Sequence, residues 1–204
     1  MGVTISFYEL LKKRRAVRSY TGEPVPRETL ERIARAARRG PNAGYSQGLR
    51  LLVVDDPNVI ETLAGWQEDE PSQAWFRTAA AHILVLTREQ DYHDRYTQPD
   101  KLAVTGGVEV NWPVPFWHLD AGAALMLLWL AAIEEGLGAG VYGVPVEEDE
   151  RWRELFSLPD DLTIVTGVTV GHSAEDPEWD RATSAFSQRR RAHDEVVRWN
   201  RWSS

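Results

Sequence analysis

Cysteine is absent from this chain of 204 residues. Its absence excludes disulfide bridges, thiolate metal sites and cysteine nucleophiles together. A redox reaction in this chain would therefore need a bound cofactor to carry the electrons. Histidine is also scarce, and the five histidines form no i, i+4 pair, so we expect no metal site. We can place no hydroxyl–His–acid arrangement in the sequence, which leaves hydrolase chemistry with little support.

Positive charge is in the minority, since 23 Lys and Arg stand against 31 Asp and Glu, for a net charge of −8. Such a chain repels phosphate backbones at long range, so we expect no nucleic-acid partner. The N-terminus is apolar first and basic from Lys12 to Arg18, the reverse of a secretory signal. The longest apolar stretch, Leu119 to Ile133, carries Asp120 and is shorter than the roughly 20 residues of a membrane span. We therefore expect a cytoplasmic protein with no membrane partner.

The alternation of elements indicates the fold class. At about 150 residues per domain, we expect one domain over residues 1–204, with no repeat and no linker. Helix and strand patterns are interspersed, which predicts mixed α and β structure around one sheet. The first predicted helix begins near residue 7, after a Ser6–Glu9 capping box. Four more helices are predicted over residues 26–39, 59–66, 118–135 and 147–155. The predicted strands cover residues 51–54, 82–86, 141–144 and 162–170.

Three segments stand out from this pattern. The helix predicted over residues 118–135 is apolar nearly all round, and such a helix belongs in a core or at a subunit interface. Residues 87–117 are the least regular part of the sequence, and a connection of this length is usually functional or mobile. Residues 185–204 form a C-terminal arm, in which an arginine cluster precedes a helix-like stretch.

Arginine clusters are the first candidates for chemistry. The run from Lys12 to Arg18 has two interpretations. It is a solvated helix end, where cations suit the helix dipole, or a phosphate site, because Arg presents a planar fork to phosphate oxygens. A second cluster, Arg189 to Arg191, lies far away in the sequence. Two arginine clusters in an acidic chain favour one shared anion.

Two further segments are weighed on local pattern. The loop Pro41 to Gln47 offers amides and exposed backbone that could donate to a flat heterocycle, and a plain loop is the alternative. The glycine-rich stretch Gly136 to Gly143 does not match G-x-G-x-x-G in register, so it is not a dinucleotide fingerprint. A helix cap followed by a close-packed strand is the better interpretation.

Taken in order, several motifs resemble the FMN-dependent nitroreductase family over nearly the whole chain. No motif is specific alone, and their order and spacing carry the resemblance. They are RRAVRSY at residues 14–20, EPVP at 23–26, GPNAG at 40–44, DAGAA at 120–124, GLG at 136–138 and VGHSAEDP at 170–177.

The resemblance implies an α+β fold with a central, mainly antiparallel sheet flanked by helices, in an intertwined homodimer with FMN in two interface pockets. Arg14, Arg15 and Arg18 would hold the phosphate and ribityl chain, with Ala16 giving a backbone donor, and Arg190 with Arg189 or Arg191 would complete the phosphate site. From the other subunit, Pro41, Asn42, Ala43, Tyr45 and Gln47 would reach the flavin, although Tyr45 stands where the family has an amide. The backbone of Tyr142, Gly143 and Val144 would lie near the reactive edge of the ring. Trp112, Phe116 and Trp117 either stack over the ring as a substrate pocket or pack the dimer edge.

The implied function is hydride transfer from NAD(P)H through FMN to a nitroaromatic, quinone or similar small acceptor. The flavin N5 carries this chemistry, so no catalytic side chain is expected. Three alternatives stay open. They are a non-catalytic flavin-binding protein for storage or sensing, a same-fold enzyme acting on a flavin or deazaflavin, and a purely structural dimer.

Overall fold

The structure is a computed structural model, and it describes residues 6–67, 69–174 and 189–202. The chain forms two compact units, residues 1–174 and residues 175–204. The first unit contains the sheet and most of the helices. In the second unit, the described residues contain one short helix, His193–Val196. The expectation of a single domain over residues 1–204 stays a prediction.

A four-stranded antiparallel sheet forms the centre of the first unit. Its strands are β1 (Leu49–Val54), β2 (Ala81–Thr87), β3 (Gly138–Tyr142) and β4 (Thr163–Gly171), in the order β1-β2-β4-β3. Every residue of β2 is buried, which explains why this strand reads as a continuous apolar run. The predicted mixed α and β class, with a mainly antiparallel sheet, is confirmed.

The helices of the first unit agree with most of the predicted positions. The capping box at Ser6 and Glu9 is present with both hydrogen bonds, and the long apolar helix ends as predicted just before Gly136. In chain order the helices are α1 (Phe7–Lys13), α2 (Arg27–Ala37), α3 (Pro57–Gly65), α4 (Glu70–Thr78), α5 (Gln90–Tyr96), α6 (Pro99–Thr105), α7 (Phe116–Glu134) and α8 (Asp149–Phe156). Short 3-10 turns cover Ala43–Tyr45 and Val146–Glu148. The helix His193–Val196 of the second unit is α9.

The prediction that residues 87–117 are irregular is wrong for their first half, which forms α5 and α6. These helices have seven residues each, too short to show an apolar period in the sequence. Pro99 at the start of α6 suits a first helical turn. Arg95 of α5 forms two hydrogen bonds to the carboxylate of Asp100 in α6, which ties the two helices together.

Helix α7 packs with α2 against one face of the sheet. Its side toward the sheet is buried through residues such as Ala121, Ala124 and Leu128, whereas Leu119 and Met126 are 54% and 41% exposed. By length and composition alone α7 is long and apolar enough to cross a membrane. Of its most apolar 18-residue window, 33% is buried inside the protein. Core helices pass the same test, so this is weak evidence for a span. The apolar outer side fits the predicted subunit interface, and the homodimer stays a prediction.

The opposite face of the sheet is covered by α3, α4 and α8. An aromatic cluster fills this side and includes Trp75, Phe76, Tyr142 and Trp152. All four side chains are at most 8% exposed. The sheet therefore separates two cores, an aliphatic core beneath α2 and α7 and an aromatic core beneath α4 and α8.

The C-terminal arm differs from its predicted form. We expected a helix-like stretch after the arginine cluster, but within residues 189–202 only His193–Val196 is helical. Trp199 and Trp202 are 82% and 74% exposed, so they do not form a buried face within the described part of this unit. Residues 185–188 lie outside the described residues.

Candidate functional site

Residues 14–18, which we call the arginine segment, run along the outer edge of β3. Ala16 pairs with Ala139 in a parallel bridge, and the Val17 N–H donates to the Ala139 carbonyl at 2.9 Å. A Cβ at Gly140 would lie 2.3 Å from the Val17 carbonyl oxygen, so glycine is required where the two backbones run side by side. This close approach explains the glycine at position 140, and Gly136 has a left-handed backbone with φ of 78° just after α7, so the prediction of a helix cap followed by a close-packed strand is confirmed.

The structure places the residues of the basic run relative to the end of α1. Lys12 and Lys13 lie in the last turn of α1, where a solvated helix end suits them. Arg14 is the C-cap residue of α1, with extended backbone and its N–H donating to the Leu10 carbonyl, and Arg15 and Arg18 follow beside β3. The helix-end explanation therefore suits the lysines and Arg14, and a phosphate site at Arg14, Arg15 and Arg18 stays a prediction.

Two of these arginines lie over tryptophan rings. The guanidinium carbon of Arg14 is 5.1 Å from the centre of the Trp129 ring on α7. That of Arg18 is 5.4 Å from the centre of the Trp75 ring on α4. Cation–π attraction of this kind holds a guanidinium group over the face of the ring. The buried Trp129 Nε1 has no hydrogen-bond partner among the described residues and is a further donor beside Arg14.

The loop Pro41–Gln47 is tied down from both of its ends. The Ala43 N–H donates to Asp120 Oδ2 at 2.8 Å, and the Gln47 N–H donates to Asn42 Oδ1 at 2.7 Å. Tyr45 and Gln47 adopt left-handed backbone with φ of 61° and 57°. This conformation costs an ordinary residue roughly 1–2 kcal/mol, and such strain often marks a functional loop. The Tyr45 side chain is 74% exposed, so it is available to a bound molecule or a second chain.

Asp120 is the anchor of this loop. The carboxylate is 5% exposed, and its Oδ2 also accepts from the Tyr92 hydroxyl at 2.8 Å. Burial, followed by the Asp120 carboxylate, raises the pKa of Tyr92, so the phenol keeps its proton as a donor. The loop is thus fixed to α7 and, through Tyr92, to α5.

Helix α5 also holds the loop directly, which the sequence analysis missed. Arg95 Nε donates to the Gly44 carbonyl at 2.8 Å, and the Tyr96 ring lies against Gly44. The spacing of Tyr92, Arg95 and Tyr96 places all three on one side of a helix. That spacing is the signal that could have identified α5, although the partners are about 50 residues away in the sequence.

A groove of about 1000 Å³ lies beside the loop, between α2 and β1. Pro41, Asn42, Tyr45 and Gln47 line it, and so does Asp120. Its remaining lining comes mainly from α2 and β1, including the cationic side chains Arg35, Arg38, Arg39 and Arg50. The arginines of residues 14–18 and the end of β3 do not line this groove.

The predicted cofactor residues therefore fall at two places in one chain. The loop is bound to Asp120 near the start of α7, and Arg14 lies over Trp129 near its end. Positions 120 and 129 are nine residues apart, which corresponds to about 13 Å along a helix axis. That the two places meet in a pocket built from two chains stays a prediction.

The three predicted pocket aromatics do come together. Trp112 packs against Phe116 at 5.7 Å and Trp117 at 6.0 Å, and its Nε1 donates to Glu109 Oε1 at 2.8 Å. The same cluster reaches α5, because Trp117 lies 6.0 Å from the Tyr92 ring. The choice between ring stacking and dimer packing stays open. Helix α5 contacts both this cluster and the loop Pro41–Gln47, so the two are connected in either case.

The contacts of His93 predict that the stability of this cluster depends on pH. Its Nδ1 lies 2.6 Å from Glu109 Oε1, and its Nε2 lies 3.3 Å from Glu89 Oε1. Glu109 above all, and then Glu89, raise the pKa of His93 above its ordinary 6.5. The pairing therefore stabilises the segment fully below pH 6.5 and is lost as the pH rises through the raised pKa. We expect amide exchange in residues 89–112 to increase, after correction for intrinsic rates, between about pH 6 and pH 9.

A His93→Gln variant is the control for this expectation, because it cannot gain the charge. Its exchange should be fast at both pH values. Equal corrected exchange in the original protein at both ends of the range would contradict the role of His93.

The last residue of β3 is held by a hydrogen bond from the neighbouring strand β4. Tyr142 is 8% exposed, and its carbonyl accepts from Thr166 Oγ1 at 2.8 Å. Gly143, which follows, is exposed, and Val144 is half-buried. Of the three residues, Gly143 and Val144 are thus accessible after the strand whereas Tyr142 is buried, and their backbone contact with a flavin stays a prediction.

The remaining predictions concern the C-terminal arginines and metals. Arg189, Arg190 and Arg191 are exposed in the second unit, and their part in a phosphate site stays a prediction. Within the described ranges, no group of His, Asp and Glu could hold a metal ion.

Comparison with known proteins gives consistent findings. A family model described as "Nitroreductase family" matches residues 11–172. The FMN reductase (NAD(P)H) of Bacillus subtilis (strain 168) is 30% identical over 175 residues, which cover 81% of this chain and 65% of that protein. The iodotyrosine deiodinase of Nematostella vectensis is 27% identical over 183 residues, which cover 84% of this chain and 69% of that protein. The chain thus spans slightly less than two thirds of the first relative.

A solved structure shows the same fold. The crystal structure of a nitroreductase family protein from Clostridium difficile 630 matches with a TM-score of 0.70 at 25% identity. The match covers 97% of this chain and 99% of that one.

Proposed function

The chain belongs to the nitroreductase family, and from that premise we propose that it is an FMN-dependent oxidoreductase. In this proposal a hydride passes from NAD(P)H through FMN to a small acceptor such as a nitroaromatic or a quinone. The observation that carries the proposal is the position of Arg14, Arg15 and Arg18, beyond the end of α1 and beside β3.

These residues fit the phosphate end of FMN. Guanidinium groups match phosphate oxygens in geometry and keep their charge at every working pH. The guanidinium of Arg14 lies over the Trp129 ring and that of Arg18 over the Trp75 ring. The unpartnered Trp129 Nε1 supplies a further buried donor beside the same cation. In the proposal, cations here also favour the added negative charge of a reduced flavin.

The other predicted contacts complete the proposed pocket from a second subunit. The loop Pro41–Gln47 would approach the flavin with Asn42 and the exposed side chains of Tyr45 and Gln47. Asp120 and α5 hold that loop, so the contacts would be made by a rigid surface. FMN, when bound, supplies the hydride-accepting and hydride-donating atom, which is why no side-chain nucleophile is proposed.

The nature of the acceptor is a separate question. One relative is named FMN reductase and another iodotyrosine deiodinase, so family members of similar identity carry different named activities. The first name supports the alternative in which a flavin is itself the substrate. The cluster of Trp112, Phe116 and Trp117 offers flat apolar surfaces that suit an aromatic or quinoid acceptor.

An absorption spectrum of the purified protein, followed by anaerobic addition of NADPH or NADH, tests the proposal. We expect flavin bands that bleach within seconds. Flavin bands that persist would favour the non-catalytic flavin protein. Protein that binds added FMN loosely, and reduces it in excess, would favour flavin as the substrate. Protein that takes up no FMN would contradict the proposal and leave a structural dimer.

A further inference from the structure

A fully buried histidine lies outside the residues assigned so far. His82 in β2 is 0% exposed, and both of its ring nitrogens have partners. Nε2 lies 3.0 Å from the Phe76 carbonyl oxygen, and Nδ1 lies 3.1 Å from Tyr142 Oη. Because a carbonyl oxygen only accepts, Nε2 carries the ring proton and Nδ1 accepts from the tyrosine hydroxyl. Burial lowers the pKa of His82 to about 4, so the ring is neutral in neutral solution, as this arrangement requires.

The partner of this histidine is the last residue of β3. A Cβ at position 167 would lie 2.0 Å from Tyr142 Cζ, so the ring rests directly on Gly167 of β4. Thr166 Oγ1 binds the Tyr142 carbonyl, and His82 binds its hydroxyl. Main chain and side chain are both fixed at the point where the backbone leaves the sheet for Gly143.

The same aromatic cluster supports the arginine segment. Phe76 lies between the other rings, 4.9 Å from His82 and 4.6 Å from Tyr142. Trp75 packs 4.8 Å from Phe76, and its ring carries the Arg18 guanidinium at 5.4 Å. His82 thus belongs to an aromatic cluster that touches both proposed parts of the flavin site.

We propose that His82 is a positioning residue whose hydrogen bond to Tyr142 fixes the exit of β3, so that Gly143 and Val144 meet the flavin ring in one geometry. This inference rests on the proposed function. An apolar side chain at position 82 would fill similar space but would leave the Tyr142 hydroxyl buried without its acceptor. The tyrosine, and the backbone after it, would then settle in another position.

Variants at positions 82 and 142 test the inference with FMN as the probe. His82→Leu and Tyr142→Phe remove the bond, whereas His82→Asn keeps an acceptor oxygen close to the position of Nδ1. The readouts are the FMN dissociation constant, the midpoint potential and visible circular dichroism of bound FMN, and its rate of reduction at saturating NADPH.

We expect His82→Leu and Tyr142→Phe to slow reduction about fivefold or more, the equivalent of one hydrogen bond, and to change the circular dichroism of the flavin. His82→Asn should keep a rate of reduction and a flavin circular dichroism close to those of the original protein, although its smaller side chain lowers the melting temperature. Tyr142→Phe removes one oxygen atom, so it keeps the test valid if the leucine variant does not fold.

Two results would overturn the inference, and they are distinguishable. If the variants melt earlier but keep the original potential, dichroism and reduction rate, His82 only stabilises the core and the proposed function stands. If the original protein takes up no FMN, the proposed function and this inference fail together.

Discussion

Replacing Arg14 with alanine is expected to weaken FMN binding about 10- to 150-fold, corresponding to a loss of about 1.5–3 kcal/mol for one charge-assisted hydrogen bond. Arg14 lies beyond the end of α1 with its guanidinium stacked on Trp129, so the group is oriented before a ligand arrives. A preoriented cation loses little side-chain freedom on binding, which is why the upper part of the range is reasonable. Titration of FMN into the apoprotein, followed by flavin fluorescence, measures the change.

Lys13→Ala is the matched control, because it removes a cation one residue away that lies within the last turn of α1. It should change FMN affinity by less than about twofold, since an exposed charge interacts weakly through water. Arg14→Lys keeps the charge but loses the planar fork, and should fall between the two. FMN affinity that is the same in Arg14→Ala as in the original protein would remove Arg14 from the site.

Asp120→Ala should destabilise the protein by about 3 kcal/mol. Its Oδ2 accepts from both the Ala43 N–H and the Tyr92 hydroxyl, and each buried donor left without a partner costs about 1–3 kcal/mol. For a chain of this size, this loss corresponds to a fall of roughly 6–12 °C in melting temperature. The measurement is a thermal melt at fixed protein and FMN concentration, because bound cofactor shifts the transition.

Asp120→Asn separates hydrogen bonding from charge. The amide oxygen can still accept from both donors, so its melting temperature should lie closer to the original than that of the alanine variant. Faster exchange of the amides in residues 42–47 should accompany the alanine change alone. A well-folded Asp120→Ala protein with an unchanged melt and no activity would contradict the anchoring role and favour a direct part in the chemistry.

Local signals in the sequence were sufficient for most of the fold. The capping box at Ser6 depends on residues three apart, and the buried strand β2 on one apolar run, so both can be identified without knowledge of tertiary contacts. The helix apolar on all sides was likewise recognisable from composition alone. That the sheet is mainly antiparallel was implied by the resemblance and not by the residue pattern.

The parts that were missed depend on contacts between distant segments. Helix α5 matters because Tyr92 meets Asp120 and Arg95 meets Gly44, and neither distance in sequence has a local signature. Residues 87–117 looked irregular for a different reason, since α5 and α6 have seven residues each and carry charged side chains, such as Arg95 and Asp100, that read as a polar loop. The sequence likewise could not show that His82 accepts from Tyr142, because its neighbours in β2 are all apolar or small.

The close approach of two backbones at Gly140 limits which residues a relative of this chain can carry at that position. Any side chain at this position would push against the Val17 carbonyl, and the segment with Arg14, Arg15 and Arg18 would have to take another path. A lineage that lost the glycine would therefore change the arrangement of its cations in the same step. The space left by the missing Cβ of Gly140 is therefore a structural condition for the path of this arginine segment.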